Sequence, residues 1–402
     1  MYKRQIHKSI VTIYKFLIKR ISMKPKLYTS IGLMSGTSMD GVDISIIQSD
    51  GQYQFYNILD KYFEYDVELQ VELIRLRNLV LVENDLFKYS KQLGNLERKI
   101  TIFHAEKINQ ILLKYKHEID LIGFHGQTIF HEPQKKITNQ LGDGKLLSQL
   151  LKIKVVYDFR QKDIENDGQG APLTPIFHYL ISNIVNEKFK TGFPIGFINI
   201  GGITNLTKII SVSSDFEDNI TAYDIGPGNC LIDDWVRKNS NKKFDENGNI
   251  SKTGKIDQLI TNQIIENFNI DTYSKSLDIK DFDNSFARGL TFENGCATIT
   301  NFTGYLIAKG IENIGTDSKI KYLISGGGRK NIALMDCIKE NLNNKYNFIL
   351  DNIDNYGFNG DYIESQAFGY LAIRSFLDLP ISFPKTTGCA KPTVGGKLAK
   401  NF

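Results

Sequence analysis

Residues 31–43 read IGLMSGTSMDGVD: an apolar run, a turn rich in Gly, Ser and Thr, and a return to apolar residues. This pattern predicts strands at 28–34 and 42–48 that are joined by a tight turn. Such a hairpin presents backbone N–H groups and hydroxyls that suit phosphate oxygens. Asp40 and Asp43 flank the turn, where Mg²⁺ would offset their repulsion of a phosphate. An ordinary polar hairpin is the alternative that the spacing leaves open.

A second hairpin of similar character lies halfway along the chain. A strand-like run at 195–200 leads through Gly201 and Gly202 into another strand at 204–210. A strand–Gly-Gly–strand turn is common by itself, but two hairpins facing each other would hold the phosphates of a nucleotide between two domains. The glycines of 326–329 follow a third apolar run, and they would let a flat ligand such as adenine approach the backbone.

Each hairpin opens a series of alternating strands and helices, which predicts an α/β protein of two similar domains around a cleft. The length of 402 residues suits two domains. We place a basic extension at 1–27, the first domain at 28–185 with the C-terminal segment of about 365–402, and the second domain at 186–364. Residues 239–252, rich in Asn, Lys, Asp and Gly, are predicted to form a surface loop.

Charge and composition exclude several classes of protein. Residues 1–27 hold eight Lys or Arg and no acid, so the net charge of +4 for the whole chain leaves −4 for residues 28–402. That balance argues against a nucleic-acid surface. No run approaches the roughly 20 apolar residues of a membrane span. Residues 6–21 have the spacing of a basic amphipathic helix, although a simple extension is the plainer interpretation, and no stable membrane association is expected. Four scattered cysteines without a CxxC pair favour reduced thiols in the cytoplasm.

Three carboxylates are candidates for acid–base chemistry because of their glycine-rich neighbourhoods or their position. Asp224 precedes the rigid turn Gly-Pro-Gly-Asn, Asp163 precedes GQGAPL, and Glu364 lies near the start of the last helix. A capping or solvated carboxylate is the alternative for each. His125, which is followed by Gly-Gln-Thr, is a candidate partner for a sugar hydroxyl.

The hairpin at 31–43 closely resembles the nucleotide loop of the anhydro-N-acetylmuramic acid kinases. The resemblance covers about residues 28–390 and does not include 1–27. Nine further stretches agree with that family's pattern in the same order: LIGFHGQTIFHEP (121–133), QLGDG (140–144), DFRQKDI (158–164), GQGAPLTP (168–175), NIGGITNLT (199–207), DIGPGNCLIDDWV (224–236), SGGGRKN (325–331), GDYIESQAFGYLA (360–372) and TTG (386–388).

The resemblance implies a two-domain fold of the sugar kinase/Hsp70/actin (ribonuclease H-like) type and a cytoplasmic homodimer. It also implies a reaction on 1,6-anhydro-N-acetylmuramic acid, a sugar released from peptidoglycan. ATP phosphorylates O6 while water opens the anhydro bond at C1, which gives N-acetylmuramic acid 6-phosphate and ADP for cell-wall recycling.

The family's roles are carried onto the matching positions of this chain. Asp224, aided by Glu364, is expected to activate the water, and Asp163 is the second choice for this base. Asp40 and Asp43 are expected beside Mg²⁺. The residues expected to contact the sugar are His125, Gln127, Arg160 and Gln169. Those expected to contact ATP are Gly36, Thr37, Ser38, Met39, Asp40, Gly41, Val42, Asp43, Thr204, Asn205, Gly326, Gly327, Gly328 and Arg329.

Two departures from the family's pattern bear on these expectations. Asp167 stands where the family has glycine, and residues 275–280 read KSLDIK where the family usually shows Lys-Ser-Thr-Gly-Arg-Glu. The second departure puts in doubt any ligand contact from that loop. An ordinary kinase of a free hexose or amino sugar remains an alternative and would need no activated water. A non-enzymatic ATP-gated binding protein is a third, and it would not need the carboxylates of the cleft.

Overall fold

The computed structural model describes residues 25–402, apart from 213–215, 269–272, 274, 315–318 and 343–347. Residues 1–24 of the predicted basic extension therefore lie outside the described residues. The strands are β1 (Tyr28–Ser35), β2 (Gly41–Ser49), β3 (Phe55–Glu64), β4 (Leu121–Glu132), β5 (Ile137–Leu141), β6 (Lys154–Tyr157), β7 (Ile195–Ile200), β8 (Ile203–Ile209), β9 (Ile220–Pro227), β10 (Ile320–Ser325), β11 (Phe348–Asn352) and β12 (Lys397–Ala399).

Helices connect and cover these strands. Several begin at a side chain that caps the first turn: Asp66, Thr291 and Asn331 each accept a hydrogen bond from a backbone N–H three residues later. In the described part of the chain, no helix is long and apolar enough to cross a membrane. The α-helices are α1 (Val67–Leu79), α2 (Glu83–Lys88), α3 (Ser90–Leu112), α4 (Gly144–Leu151), α5 (Gln161–Glu165), α6 (Pro175–Phe189), α7 (Phe216–Asn219), α8 (Cys230–Asn239), α9 (Asn249–Thr253), α10 (Gln258–Asn267), α11 (Phe292–Asn313), α12 (Ile332–Asn341), α13 (Ile363–Phe376) and α14 (Pro384–Thr387).

The two sheets repeat one topology. The first has the order β12-β6-β4-β1-β2-β3, with β5 paired to β4, and the second has the order β11-β10-β7-β8-β9. In each sheet the first three strands form an antiparallel meander, and the next strands add in parallel beside the first. The expectation of two similar α/β halves of the sugar kinase/Hsp70/actin type is confirmed by this duplication.

Helices α6 and α13 lie where the two halves meet. Phe177 and Ile181 of α6 share one apolar core with Phe197 of β7 and with Leu371 of α13. The ring of His178 stacks on Phe197 at 4.7 Å between centroids. The domain boundary expected between residues 185 and 186 falls inside α6, whose side chains pack on the second sheet.

The expected surface loop at 239–252 is wrong in its second half. Asp245 is buried and accepts hydrogen bonds from the backbone N–H groups of Ile250 (2.7 Å) and Ser251 (3.0 Å). These bonds hold α9 against α11. Asp245 is one of several polar residues in the stretch, so its sequence did not show that this side chain accepts hydrogen bonds from the first N–H groups of a short helix.

Glycines let α13 lie directly on the first sheet. A Cβ on Gly32 of β1 would overlap the carbonyl oxygen of Ser365 and the backbone of Gly369, and one on Gly123 of β4 would overlap the carbonyl of Phe368. Because these neighbours are backbone atoms, they cannot turn aside as a flexible side chain would. The close approach sets the height of α13, and therefore of Glu364 in its first turn, above the sheet.

Gly32→Ala is expected to lower the free energy of unfolding by about 3 kcal/mol, because the added methyl must push α13 away from β1. Urea unfolding measures this change. Gly94→Ala is the matched control: Gly94 lies on an exposed side of α3, where a Cβ meets nothing within 4 Å. That control should be neutral or stabilising by up to about 1 kcal/mol. Equal losses for both variants would contradict the role given to Gly32.

Candidate active site

A row of polar side chains crosses the second sheet at the cleft. Strand pairing places Ser325 of β10 beside Asn199 of β7, Asn199 beside Asn205 of β8, and Asn205 beside Asp224 of β9. Directly paired residues point to the same face of a sheet. The side-chain oxygen of Asn205 is buried and has no hydrogen-bond partner among the described residues. The row therefore offers a ligand at least one free acceptor next to a carboxylate.

Asp224 is the carboxylate of this row, and it is only 6% exposed. The backbone N–H of Leu277 donates to its Oδ2 at 2.9 Å. Burial raises the pKa of Asp224 to about 6, while the Leu277 N–H and the charge of Arg160 oppose the rise. A group with this pKa is ionised at neutral pH and still able to accept a proton.

Glu364 approaches the same place from the first turn of α13. The side chain of Asn199 hydrogen-bonds to it, and the charge of Arg160 favours its ionised form, but burial is stronger and raises the pKa of Glu364. Asn199 thus joins the polar row to the carboxylate on the other domain's helix.

Arg160 follows β6 and is held from two sides. Its Nε and Nη2 lie 3.1 and 2.8 Å from Nε2 of His125, and its Nη1 donates to the carbonyl of Gly170 at 2.7 Å. Nδ1 of His125 lies 2.7 Å from the carbonyl of Gly126, so this nitrogen carries the proton and Nε2 accepts from Arg160. Burial first, and then the charge of Arg160, hold the pKa of His125 well below its usual range. Both ring nitrogens are engaged, so in this arrangement neither is free for a sugar hydroxyl.

Asp163 is buried beneath the loop that carries Gln169. Its Oδ1 accepts from the hydroxyl of Thr387 and its Oδ2 from the N–H of Gly170, both at 2.7 Å. A Cβ on Gly168 would overlap this carboxylate. Since both oxygens are occupied by the protein, the geometry of Asp163 suits the support of a loop. The side-chain oxygen of Gln169 is buried and makes no hydrogen bond within the described part of the chain.

The turn of the first hairpin meets the second hairpin directly. The hydroxyl of Thr37 lies 2.3 Å from where a Cβ on Gly202 would be, so a side chain there would displace Thr37. Ser38 and Thr37 are exposed, whereas Met39 and Val42 pack into the apolar cores of the first domain. Any contact of Met39 or Val42 with a phosphate would therefore use the backbone.

Gln127 supports the same turn from below. Its Nε2 donates to the carbonyl of Gly36 at 3.0 Å, and its Oε1 is buried without a protein partner. The hydroxyl of Thr204 donates to the carbonyl of Pro227 at 3.3 Å, which ties the second hairpin to the turn after Asp224. Gln127 thus lies beneath the turn of the first hairpin and holds it through Gly36.

Carboxylates crowd the position where a cation was expected. The hydroxyl of Ser38 donates to Asp40 at 2.6 Å. Burial and the negative charges of Glu364, Asp40, Asp361 and Asp60 raise the pKa of Asp43 to about 8. A divalent cation would relieve this repulsion. Among the described residues, no group of three or more His, Cys, Asp or Glu is arranged to hold a metal ion, so the protein alone does not complete such a site.

The glycines after β10 form a backbone surface beside the polar row. Gly326 has a φ of +81°, and a Cβ on it would overlap the side-chain oxygen of Asn199. Arg329 is turned away from solvent: its guanidinium pairs with Asp354 at 3.0 Å and with Asp361 at 2.6 Å. Of the three glycines only Gly327 is exposed, Gly328 is buried against Ile200, and Arg329 is occupied in bracing the loop.

The two departures from the family's pattern have different settings. Asp167 has a φ of +67°, a conformation that glycine adopts without strain, and its side chain forms an exposed ion pair with Lys136. The run at 275–280 supplies the Leu277 N–H that binds Asp224 and reaches the first domain through Asp278.

Sequence reasoning missed Asn199 and Leu277 as parts of the site. Asn199 lies in the quoted stretch NIGGITNLT, and its position two residues before the glycine turn was a usable signal. Leu277 contacts Asp224 through its backbone N–H, and the type of side chain gives no sign of such a contact. Strand pairing brings Asn199 into the row that ends at Asp224, and a contact from a distant loop brings Leu277 there. Neither contact is between residues that are close in the sequence.

Comparison with known proteins was made on the whole chain. An activator of the 2-hydroxyisocaproyl-CoA dehydratase from Clostridium difficile aligns with a TM-score of 0.36 and 10% identity over 87% of this chain and 96% of that chain. At that distance the fold assignment rests on the strand order described above.

Sequence relatives are much nearer. A family profile described as anhydro-N-acetylmuramic acid kinase matches residues 28–401. The protein of that name from Pelagibacter ubique is 50% identical over 382 residues, which are 94% of this chain and 100% of that protein. The one from Brucella canis is 37% identical over 381 residues, with 92% and 98% covered. Since the profile and both relatives span nearly all of the folded body, the chain belongs to the anhydro-N-acetylmuramic acid kinase family.

Proposed function

We propose that this cleft uses ATP and water to convert 1,6-anhydro-N-acetylmuramic acid into N-acetylmuramic acid 6-phosphate, in the recycling of cell-wall sugars. One observation carries the proposal: Asp224, an anchored carboxylate with a pKa of about 6, is paired with Asn205 of the second hairpin and interacts with the charge of Arg160. A plain transfer to a free hydroxyl would need one base near the phosphates. Opening an anhydro ring also needs a positioned water, which a fixed carboxylate can activate.

The chemistry balances with one base. Water attacks C1 of the sugar and gives a proton to Asp224, and the C1–O6 bond breaks. O6 takes the γ-phosphoryl group as it leaves C1, so no separate acid is needed to protonate it. ADP departs, and the proton passes from Asp224 to solvent after the products leave.

The remaining residues of the cleft position the reactants. Arg160 grips the sugar and holds positive charge beside Asp224, and His125 keeps the guanidinium in place. Asp163 fixes the loop of Gln169, whose free side-chain oxygen faces the ligand space. Glu364 assists from the other domain.

ATP is held by the two hairpins and the glycine surface. The backbone of 36–43 and the hydroxyl of Thr37 bind phosphates, with Thr204 and Asn205 opposite and Gly326–Gly328 along the adenosine. Mg²⁺ would accompany the phosphates and offset their charge, and Asp40 and Asp43 are the carboxylates that would hold it. The raised pKa of Asp43 supports this assignment, because an incoming cation would favour its ionised form.

Isotope labelling tests the reaction. The enzyme is incubated with ATP, Mg²⁺ and 1,6-anhydro-N-acetylmuramic acid in ¹⁸O water, and the product is examined by mass spectrometry. We expect a phosphorylated sugar with one ¹⁸O at C1. Unlabelled N-acetylmuramic acid 6-phosphate, kept in the same water for the same time, corrects for spontaneous exchange at C1.

Other outcomes favour the alternatives. A kinase of a free hexose or amino sugar would phosphorylate that sugar without ¹⁸O incorporation and leave the anhydro sugar untouched. A non-enzymatic binding protein would bind ATP and yield no phosphorylated sugar at all. Either result would overturn the proposed reaction.

A cytoplasmic homodimer is the state in which we expect the enzyme to act. Cys230, Cys296, Cys337 and Cys389 carry free thiols, as suits a reducing compartment. Sedimentation of the purified protein would measure its oligomeric state.

A further inference from the structure

Residues 275–281 cross from the second domain to the first. Oδ1 of Asp278 lies 2.7 Å from Nη2 of Arg77 on α1. The ammonium of Lys280 donates to the carbonyls of Arg77 at 3.2 Å and Val80 at 3.0 Å, at the carboxyl end of the same helix. One short segment thus holds α1 by a side-chain ion pair and by backbone contacts.

The segment is internally braced. Asp278 begins a single 3₁₀ turn at 279–281: its side chain accepts from the N–H of Lys280 at 3.0 Å, and its own N–H donates to Asp281 at 2.8 Å. A side-chain carbon of Ile279 lies 3.6 Å from where a Cβ on Gly202 would be, so the turn also covers the second hairpin.

The ion pair with α1 is buried on the Arg77 side and partly exposed on the Asp278 side. The side chain of Arg77 is only 9% exposed, so its charge has lost much of its water and depends on Asp278. Burial lowers the pKa of Lys280, which lies against carbonyls at the negative end of the helix dipole. Separating the domains would leave Arg77 without this partner.

The same segment holds the base. Leu277, the residue before Asp278, donates its N–H to Asp224. The groups near Asp224 are this N–H, the cation Arg160 and its strand neighbour Asn205, and Arg160 also interacts with the charge of Glu364. The N–H and Arg160 both favour the ionised form of Asp224.

We propose that residues 275–281 are an interdomain latch, and that Arg77, Asp278 and Lys280 are positioning residues that fix the Leu277 N–H on Asp224 when the cleft closes. The proposal rests on the proposed role of Asp224 as the base. The proposal gives a function to the stretch at 275–280, which departs from the family's pattern. The ion pair between Asp278 and Arg77 would hold the cleft closed.

Asp278→Asn and Lys280→Met test the latch. Asparagine preserves the cap of the 3₁₀ turn and removes the charge. We expect kcat to fall about tenfold, the value of one hydrogen bond to a charged group. The acid limb of the kcat/KM profile should move to higher pH, since Asp224 loses a donor that favours its ionised form. Hydrogen exchange at 275–281 should become faster even without substrate.

Two further variants make the result specific. Arg77→Lys keeps a positive charge opposite Asp278 and leaves the cap of the 3₁₀ turn intact, so it should retain most of the rate that Asp278→Asn loses. Glu72→Gln breaks the pair that Glu72 of α1 makes with Lys99 inside the first domain, and it should change neither kcat nor exchange.

The exchange measurement separates the two proposals. A wild-type enzyme inactive on the anhydro sugar would refute the proposed function, while protection of 275–281 and its loss in Asp278→Asn would still report the latch. The latch proposal would be overturned if Asp278→Asn had the kcat, the acid limb and the hydrogen-exchange protection of the wild type. Faster exchange with unchanged kinetics would also overturn it, because Asp224 would then not depend on the segment.

Discussion

Asp224→Asn is expected to lower kcat by about 10²–10⁴-fold while ATP binding is unchanged, because the substitution removes the proposed proton acceptor and preserves the shape of the site. Calorimetric titration with a non-hydrolysable ATP analogue measures the binding, and product formation measures the rate. The amide retains an oxygen for the Leu277 N–H, so the loop at 275–281 should stay in place.

The pH profile should change with the same substitution. In the wild type, Asp224 is protonated below a pKa of about 6 and cannot accept a proton, so kcat/KM should fall as the pH drops through 6. Asp224→Asn should retain a low rate, and its kcat/KM should not fall as the pH drops through 6. Since the pKa of His125 is held well below its usual range, that histidine does not supply a limb near 6.

Asp163→Asn provides the comparison. Both oxygens of Asp163 are bound by the protein, so its amide should loosen the loop of Gln169 and weaken sugar binding, with the acid limb retained. A wild-type rate in Asp224→Asn, together with loss of the acid limb in Asp163→Asn, would exchange the roles assigned to these two residues.

The sequence predicted the parts of the fold whose signals are local. The hairpins around 35–41 and 201–202 and the buried strands β7 and β10 show both apolar runs and turn residues, and the structure has them within a few residues of the expected bounds. The short strands β5, β11 and β12 were missed. They are half-exposed or three residues long, and pairing with longer strands creates them more than their own residues do.

The residues of the site also divide into those with a local signal in the sequence and those that depend on long-range contacts. Asp224 and Arg160 could be singled out because glycine turns or a recognisable motif surround them. What the sequence could not supply is which polar atoms are already in use. His125 and Arg329 have the right residue types for ligand contacts, yet the fold commits them to Arg160 and to Asp354 and Asp361. Such commitments depend on residues far apart in the chain.

Arg160→Met is the second substitution with a large expected effect. Arg160 is the positive charge that Asp224, Glu364 and Asp163 share. Without it, repulsion and burial would raise the pKa of Asp224 above 6, so that less of the base is ionised at neutral pH. The sugar would also lose its contact with the guanidinium. We expect kcat/KM to fall by about 10²–10³-fold, as when one charge-stabilising donor is removed. Steady-state kinetics across pH 5–9 would measure both effects.

Two controls distinguish this effect from general loss of stability. Arg160→Lys keeps the charge but cannot reach His125 and Gly170 together, so its acid limb should stay near that of the wild type while KM for the sugar rises. Arg374 is a buried arginine that donates to the carbonyls of Pro380 and Gly51 away from the cleft. Arg374→Met should lower the melting temperature without moving the acid limb. An unshifted limb in Arg160→Met would mean that Arg160 binds sugar but does not set the ionisation of Asp224.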